Sequence, residues 1–243
     1  MEFEGKVVAV TGGAGDIGSA QVRLFHARGA QVAILDIDDV AGEALAEELG
    51  DRCFYQRLDV TRQEDWSAAV EAIEVRAGRL DGFVNNAGHF QPRPLLETPE
   101  EEFELSHAVN SKGVFLGMKA MIPLLRKSGK GSIVNIASGA AVRGLPNAFG
   151  YVASKWSARG MSLAAAAEHA AENIRVNVIF PGTIDTKMSR SNSPERLARI
   201  TDTIPMGRLG TPDDIGHMVV FLTSDAAAYI TGAEIRIDGG RHL

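Results

Sequence analysis

Three side chains in the second half of the chain are of types that can exchange a proton with a substrate oxygen. They are Tyr151 and Lys155, which bound the run Tyr151-Val-Ala-Ser-Lys155, and Ser138, thirteen residues before the tyrosine. If this run is helical, a spacing of four places the tyrosine and the lysine on one face. A phenol has a pKa of ~10 in water, and a neighbouring cation lowers that pKa toward the range of a general acid or base. The same spacing occurs on ordinary surface helices, so this interpretation needs support from the rest of the chain.

A glycine-rich turn near the N-terminus is typical of a dinucleotide site. The run Thr11-Gly-Gly-Ala-Gly-Asp-Ile-Gly18 follows the predicted strand Val7–Thr11 and opens the predicted helix Ile17–Ala27. Small residues let the backbone approach a pyrophosphate, and a helix N-terminus offers free N–H groups and a positive dipole. Three of the glycines have the GxGxxG spacing in the required strand–turn–helix context. We therefore predict dinucleotide binding here rather than a purely structural turn.

An acidic residue at the end of the second predicted strand indicates which dinucleotide binds. Asp36 lies eighteen residues past Gly18, close to the ~20 expected for a carboxylate that binds the adenosine ribose. A carboxylate accepts bonds from both ribose hydroxyls and repels a 2′-phosphate, and Ile37-Asp38-Asp39 adds negative charge rather than a cation. The alternative is a helix-capping aspartate. We predict NAD rather than NADP.

Short β-branched runs alternate with amphipathic segments along the chain, which predicts parallel strands with helices on both faces. The expected fold is α/β, a doubly wound Rossmann fold with a seven-stranded parallel sheet. The predicted strands are Val7–Thr11, Gln31–Leu35, Cys53–Leu58, Gly82–Asn85, Ser132–Ile136, Arg175–Ile179 and Glu234–Ile237. The predicted helices are Ile17–Ala27, Val40–Leu49, Glu64–Arg76, Glu100–Arg126, Val152–Ala171 and Pro212–Leu222.

Two helix starts and one long connection complete this prediction. Thr61 with Glu64 predicts a capping box, and Thr98-Pro-Glu-Glu101 puts proline and acids in a first turn. No linker or repeat divides the chain, so we expect one domain over residues 1–243. The polar segment Thr183–Gly210 is long for a connection and is predicted to be a substrate lid.

Composition excludes several classes of function. The chain has 243 residues, 45% hydrophobic and 23% charged, with a net charge of −6 and no dense Lys/Arg run, which disfavours nucleic acid or an anionic membrane as partner. No apolar stretch reaches the ~18 residues of a membrane span, and no signal-peptide pattern is present, so we expect a cytoplasmic protein. Cys53 is the only cysteine, and no two of the six histidines have metal-ligand spacing, so we expect no disulfide and no metal.

With these residues in view, the chain resembles the short-chain dehydrogenase/reductase family over nearly its whole length. The family's motif TGxxxGxG is matched by Thr11, Gly12 and Gly18, whereas Asp16 stands where the family usually has its second glycine. An aspartate beside a pyrophosphate costs affinity unless its side chain turns away, as an N-cap side chain does.

The resemblance also implies roles for residues along the rest of the chain. Asp59 and Val60 would contact the adenine, and Asn110 would hold a water molecule. Ile184 and Thr186 would meet the nicotinamide carboxamide. The implied cofactor-binding set is Gly12, Gly15, Asp16, Ile17, Gly18, Asp36, Asp59, Val60, Asn86, Ala87, Gly88, Tyr151, Lys155, Pro181, Gly182, Ile184 and Thr186.

The resemblance implies hydride transfer between the nicotinamide and a carbinol or carbonyl carbon. Tyr151 would act as general acid/base on the substrate oxygen, and Ser138 would hydrogen-bond that oxygen. Lys155 would hold the nicotinamide ribose and lower the pKa of the tyrosine, while Asn110 would fix a water that links the lysine to solvent. The catalytic set is therefore Asn110, Ser138, Tyr151 and Lys155.

The predicted pocket walls are His89–Leu96, Gly139–Phe149 and Thr183–Met206. They are mainly apolar and favour a hydrophobic or cyclic secondary alcohol. His89, Val142, Phe149 and Met188 are the candidate substrate residues, and the runs Asp59–Trp66 and Ser154–Trp156 are similar to those of bacterial hydroxysteroid and cyclic-alcohol dehydrogenases. His89, Arg93 and Arg143 are alternative anchors for a polar or anionic group, although such loop residues are more often solvated.

Two other functions stay open at this level. A 3-oxoacyl-carrier-protein reductase usually prefers NADPH, which Asp36 disfavours. A non-catalytic NAD-sensing protein would not need Ser138, Tyr151 and Lys155 together. The family resemblance also implies a homotetramer, for which Glu100–Arg126 and Val152–Ala171 offer packing surfaces; the small residues of the second segment equally suit packing inside one chain.

Overall fold

A seven-stranded sheet, parallel throughout, forms the centre of the computed structural model, which describes residues 1–190 and 193–242. The strand order is β3-β2-β1-β4-β5-β6-β7, as expected for a doubly wound Rossmann fold, so the predicted fold class is confirmed. The strands are β1 Val7–Thr11, β2 Gln31–Asp36, β3 Cys53–Arg57, β4 Gly82–Asn85, β5 Gly131–Ile136, β6 Ile174–Pro181 and β7 Glu234–Ile237.

Helices cover both faces of this sheet and enclose two large apolar clusters. Buried β-branched residues such as Val10 and Ile34 face one layer, and Phe83 and Met121 belong to the other. The helices are α1 Asp16–Ala27, α2 Asp39–Leu49, α3 Gln63–Ala77, α4 Glu100–His107, α5 Gly113–Lys127, α6 Phe149–His169, α7 Lys187–Arg190, α8 Pro194–Asp202 and α9 Pro212–Thr223. Within the described residues, no helix is both long enough and apolar enough to cross a bilayer.

The strand order reverses between β1 and β4. Strands β2 and β3 lie on one side of β1, whereas β4 and the later strands follow in order on its other side. In open α/β sheets the crevice at such a switch point, beyond the carboxyl ends of the strands, is where ligands bind. The glycine-rich turn after β1 and the residues that follow β4, β5 and β6 all lie along this edge.

The structure differs from the sequence-based prediction at two places, for identifiable reasons. The predicted capping box is wrong, because α3 has Arg62 as its N-cap and Thr61 instead donates its hydroxyl to Asp59 at 2.7 Å. The predicted helix Glu100–Arg126 is helical over its whole length, but a π-helical turn at Ala108–Lys112 joins α4 to α5. Such a turn inserts one extra residue per hydrogen bond and is frequent at functional sites.

The predicted lid segment, residues 183–210, contains α7 and α8; its residues 191 and 192 lie outside the described part of the chain. Both ends of this segment are joined by hydrogen bonds between Asp185 N and Gly210 O at 2.8 Å and between Gly210 N and Thr183 O at 3.0 Å. The segment therefore leaves the sheet edge and returns to it at the same place.

Candidate active site

The turn between β1 and α1 forms a cradle whose shape depends on glycine. Gly12 has a φ of 61°, in the left-handed region that favours glycine. A Cβ at Gly18 would collide with the carbonyl oxygen of Gly12, so the turn closes only because position 18 has no side chain. Gly15 is the N-cap of α1 and makes no side-chain capping bond, which leaves amide groups of the first helical turn for a bound anion. These residues fit the pyrophosphate of a dinucleotide.

Asp16 is accommodated in this turn because it is the first residue of α1. The expectation that it acts as the N-cap is wrong, since Gly15 has that position. The Asp16 carboxylate accepts a hydrogen bond of 2.5 Å from the backbone amide of Lys187 in α7. An acid is favoured in the first turn of a helix, and its neighbour Ile17 packs against the core. The side chain thus points to the segment after β6.

The Asp36 carboxylate lies against the glycine turn at the adenosine end of the cleft. Its Oδ2 accepts a bond of 2.9 Å from Ala14 N, and its Oδ1 accepts one of 3.1 Å from Asp38 N. The capping function is carried out by Asp38, whose side chain accepts from Ala41 N at the start of α2. Asp36 is therefore held at the turn and is not the helix cap.

A cation lies nearer to Asp36 than the sequence order indicates. Arg57 is the register partner of Asp36 in the β2–β3 pair. Its Nη1 donates to Asp39 Oδ2 at 2.7 Å and to Ile37 O at 2.9 Å. Because Asp39 pairs with Arg57, this guanidinium is already engaged and does not reverse the local negative charge.

Asp59 and Val60 lie in the turn that follows β3. The Asp59 carboxylate accepts from the amide of Thr61 at 2.9 Å, which fixes the turn. The Val60 carbonyl accepts from the indole of Trp66 at 3.0 Å, and its side chain contacts the position of Gly113. These hydrogen bonds fix both residues at the carboxyl edge of the sheet, where the adenosine is expected.

The residues after β4 bind the glycine turn to the middle of the sheet. Asn86 donates through Nδ2 to Thr11 O at 3.0 Å and to Gly12 O at 3.1 Å. The backbone amides of Asn86 and Ala87 both donate to the hydroxyl of Thr11. The glycine turn is thus supported from the neighbouring strand.

Asn110 lies in the π-helical turn and is completely buried. Its Oδ1 accepts from His89 N at 2.9 Å, and its Nδ2 donates to His89 O at 2.8 Å and to the Ser154 hydroxyl at 3.1 Å. Both amide hydrogens are used, and one lone pair of Oδ1 is left. The asparagine therefore ties the loop after β4 to α6.

Gly88 keeps open a small space between two polar groups. A Cβ at this position would lie 3.4 Å from Asn110 Oδ1 and 3.5 Å from Lys155 Nζ. A side chain would fill the space that these two atoms share. The space has a donor on one side and an acceptor on the other, which is the arrangement that a bridging water needs.

Lys155 is a buried cation without a carboxylate partner in residues 1–190 and 193–242. Its Nζ donates to Ile136 O at 2.9 Å, and only 4% of the residue is exposed. Burial lowers the pKa of the lysine from 10.5 to about 8. An unpaired buried ammonium is costly for folding, so this position is a candidate for function rather than for stability.

Tyr151 and Ser138 adjoin this lysine. Lys155 Nζ lies 5.8 Å from the centre of the Tyr151 ring. Burial raises the pKa of Tyr151 above its usual range, and a hydrogen bond with Ser138 partly opposes that rise. The expected lowering by the lysine is absent in this structure, where burial dominates the pKa of Tyr151 and the Lys155 ammonium donates to Ile136 O.

The residues after β6 are ordered by contacts with β7. Gly182 N donates to Ile237 O at 2.9 Å, directly after Pro181 ends the strand. Ile184 is buried in the core, and the Thr186 hydroxyl donates to Ile184 O at 3.4 Å. These four predicted cofactor residues line the same edge as Tyr151.

Comparison with known proteins decides the family. Residues 12–242 match the family model described as enoyl-(acyl carrier protein) reductase, one of the models for short-chain alcohol dehydrogenases. The chain is 40% identical over 239 residues to 2,5-dichloro-2,5-cyclohexadiene-1,4-diol dehydrogenase LinX of Sphingobium indicum, covering 97% of this chain and 96% of that protein. The chain belongs to the short-chain dehydrogenase/reductase family.

Two further relatives of this short-chain dehydrogenase/reductase act on other alcohols, as their names state. Cyclopentanol dehydrogenase of Comamonas is 37% identical over 240 residues, covering 97% of this chain and 96% of the relative. The 3-alpha-(or 20-beta)-hydroxysteroid dehydrogenase of Mycobacterium tuberculosis is 39% identical over 236 residues, covering 97% and 89%. The chain is therefore an oxidoreductase that acts on CH–OH or C=O groups, and its family uses NAD or NADP.

The candidate substrate residues of this short-chain dehydrogenase/reductase differ in where they lie. Val142 packs partly buried after the Ser138 turn. His89 Nε2 lies within hydrogen-bond distance of Glu102 Oε1, at 2.8 Å. The half-exposed ring of Phe149 packs near the ring of Phe103 in α4, with ring centres 6.3 Å apart. The side chains of His89 and Phe149 therefore contact α4. Met188 is half exposed in α7.

Three residues outside the predicted set adjoin the site of this short-chain dehydrogenase/reductase. The ring of Phe90 lies edge-on to Tyr151 with centres 4.8 Å apart. Arg241 and His242, near the C-terminus, reach the turns that contain Thr183 and Gly139. Phe90 lies in a predicted pocket wall, so the sequence around it already indicates a place near the site. No local signal identifies Arg241 and His242, because β7 brings them there from a distant part of the chain.

Proposed function

We propose that the protein is an NAD-dependent dehydrogenase that interconverts a hydrophobic or cyclic secondary alcohol and its ketone, with Tyr151 as general acid/base. The observation that carries this proposal is the cluster of Ser138, Tyr151 and an unpaired, buried Lys155 at the carboxyl edge of the sheet. The named activities of the relatives on cyclic alcohols and a hydroxysteroid support the substrate class.

Each member of the cluster has one task. When bound, the nicotinamide supplies the hydride acceptor or donor. Ser138 holds the substrate oxygen through its hydroxyl, and Tyr151 takes the proton of the alcohol during oxidation or returns it during reduction. Lys155 holds the ribose next to the nicotinamide, and its charge favours the phenolate when the ammonium turns toward the ring.

A route for the proton leads from the tyrosine to the space beside Gly88. A water there would accept from Lys155 Nζ and donate to the remaining lone pair of Asn110 Oδ1, both of which face that space. The two hydrogen bonds of Asn110 to the backbone of His89 keep the oxygen in place. Asn110 thus positions the water, and Lys155 exchanges the proton with it.

NAD is favoured over NADP by the charges at the adenosine end. The Asp36 carboxylate is held at the glycine turn, and the nearest cation, Arg57, is paired with Asp39. The carboxylate of Asp36 would repel a 2′-phosphate there. This arrangement also disfavours the alternative of a 3-oxoacyl-carrier-protein reductase that uses NADPH.

The remaining parts of the proposal concern organisation. Residues 1–243 form one domain whose segment 183–210 closes over the substrate, and the protein works in the cytoplasm as a homotetramer. Large apolar side chains exposed on α4, α5 and α6 support subunit contacts through these helices, and light scattering of the purified protein tests the tetramer. These side chains are Phe103, Leu105, Phe115, Trp156 and Leu163.

A panel of secondary alcohols, assayed with NAD and NADP side by side, tests the proposal. We expect NADH formation with cyclopentanol, cyclohexanol or a hydroxysteroid, and much lower rates with NADP. Tyr151→Phe should lower kcat by about 10²–10⁴-fold while NADH still binds. The matched control is Tyr229→Phe, because Tyr229 is fully exposed. Near wild-type turnover in Tyr151→Phe would refute the assignment, and silence across the panel would favour the NAD-sensing alternative.

A further inference from the structure

The segment after β7 closes the substrate side of the cleft. Arg241 Nη1 donates to the hydroxyl of Thr183 at 2.6 Å, at the start of the predicted lid. The His242 ring lies so close to Gly139, the residue after Ser138, that a Cβ at Gly139 would collide with it. This segment therefore brings the Arg241 guanidinium to the strand end that would meet the nicotinamide, and it places the neighbouring His242 ring against the turn that holds Ser138.

Arg241 has a buried donor that nothing in the described chain accepts. Its Nε is inaccessible to solvent and has no hydrogen-bond partner. The nearest candidate carboxylate, Asp238, accepts instead from Gly240 N at 3.0 Å and from His242 Nδ1 at 2.6 Å. A buried donor without an acceptor is unfavourable, and more so when the group is charged. The geometry is that of a donor whose acceptor lies outside the described residues.

A second guanidinium adds to the positive charge at this place. Arg143 is exposed in the loop that follows Ser138, and within residues 1–190 and 193–242 it has no ion pair. Burial lowers the pKa of Arg241, and the charge of Arg143 lowers it further, against an opposing effect of Asp238. An arginine stays protonated under such shifts. Two like charges therefore lie together at this part of the cleft, and the carboxylate of Asp238 balances them only in part.

We propose that Arg241 and Arg143 form a subsite for a carboxylate on the alcohol substrate, so that the preferred substrates are cyclic hydroxy acids. This inference rests on the proposed dehydrogenase function and narrows its substrate class. A carboxylate supplies the acceptor that Arg241 Nε lacks, and a planar guanidinium binds it through parallel hydrogen bonds. Phe90 beside Tyr151 and Val142 beside the loop offer apolar surface to the ring.

Matched substrates measure the subsite directly. A hydroxycyclohexanecarboxylate and its methyl ester carry the same carbinol and differ in charge. We expect wild-type kcat/KM to be about 10–100-fold higher for the acid, the range of one to two charge-assisted hydrogen bonds. Arg241→Gln should reduce this ratio to within about 3-fold, mainly through KM, and high salt should reduce it in the wild type. General damage to the fold would lower both rates and leave the ratio unchanged.

The control variant is Arg76→Gln, which removes the same charge from an exposed position on α3. It should keep the wild-type ratio. Arg143→Gln should give an intermediate ratio, because Arg143 is exposed and contributes through charge more than through a fixed bond. Equal kcat/KM for acid and ester in the wild type, or an unchanged ratio in Arg241→Gln, would overturn the subsite.

A binding measurement separates this inference from the proposed function. Cyclohexanecarboxylate should raise the Tm of the wild-type protein with NAD present, cyclohexanecarboxamide should not, and Arg241→Gln should lose the difference. If the wild type oxidises no alcohol and yet shows this difference, the proposed function fails and the subsite stands. If cyclohexanol is oxidised and the acid gives no shift beyond the amide, the subsite fails and the function stands.

Discussion

Replacing Lys155 with methionine should stabilise the protein while abolishing its activity. The buried ammonium donates one bond, to Ile136 O, and its pKa falls from 10.5 to about 8. That fall corresponds to about 3 kcal/mol of unfavourable free energy at pH 7, at ~1.4 kcal/mol for each pH unit. Methionine has a similar length and no charge. Losing the bond to Ile136 O costs about 1 kcal/mol, so the net gain is about 2 kcal/mol, or about 4–8 °C in Tm for a chain of this size.

The sign of this effect changes with pH in a defined window. Between pH 8 and 10.5 the unfolded chain binds more protons at Lys155 than the folded chain, so the wild type gains stability as the pH rises. Below pH 8 both states are protonated and the penalty is complete. The advantage of Lys155→Met should therefore be largest at pH 7, reach zero before pH 10.5, and become a deficit of about 1 kcal/mol near pH 10.5, where only the lost bond to Ile136 O counts.

Thermal unfolding without added cofactor, at equal protein concentration from pH 7 to 10.5, measures this difference. The matched control is Lys119→Met, because Lys119 is exposed on α5 and has no ion pair among the described residues. A Lys155→Met protein that is no more stable than the wild type at pH 7 would contradict the reasoning. So would a gain that stays constant as the pH rises.

Three further predictions concern the glycine turn and the reactive hydroxyls. Gly18→Ala should abolish NADH binding measured by fluorescence, because its Cβ collides with the turn, whereas Gly15→Ala should bind, since the nearest atom lies 3.4 Å away. Ser138→Ala removes the bond that opposes the raised pKa of Tyr151, so the rising, acid-side limb of kcat/KM for oxidation, where Tyr151 acts as base, should move to higher pH; an unmoved limb would refute that role. Asp16→Ala should speed proteolysis after residue 186, because the bond that holds α7 to α1 is lost; an unchanged cleavage rate in the absence of cofactor would count against this bond.

The fold was predictable because its signals are local. Buried β-branched runs followed by turns locate β1, β2 and β5 to within a residue or two, and the glycine turn needs only its own sequence to be recognised. The positions that were mispredicted depend on partners elsewhere in the chain. Thr61 has the spacing of a helix cap, but its hydroxyl bonds to Asp59, because Asp65 and Asp59 together shape the turn after β3.

The site divides in the same way. The order of motifs identifies Ser138, Tyr151 and Lys155, and Asn110 is recognisable as a poor helix former in mid-helix. The π-helical turn around Asn110 is not recognisable from the sequence, because the side-chain amide of Asn110 is held by His89 and Ser154, which are distant in sequence. Likewise, the glutamate that engages His89 belongs to α4, so only the structure separates a held histidine from a free substrate anchor.

Buried cations illustrate how structure distinguishes a stabilising residue from a functional one. Arg175 is partly buried, and burial lowers its pKa, as at Lys155 and Arg241. Its guanidinium, however, donates to the carbonyls of Leu222 and Ser224, so it fastens α9 to β6. Lys155 has one carbonyl partner, and Arg241 has a buried Nε with none. Unsatisfied charge persists where a fold retains it for a ligand. Both unsatisfied cations lie at the carboxyl edge beside Ser138, one where a ribose would bind and one where a substrate carboxylate would bind.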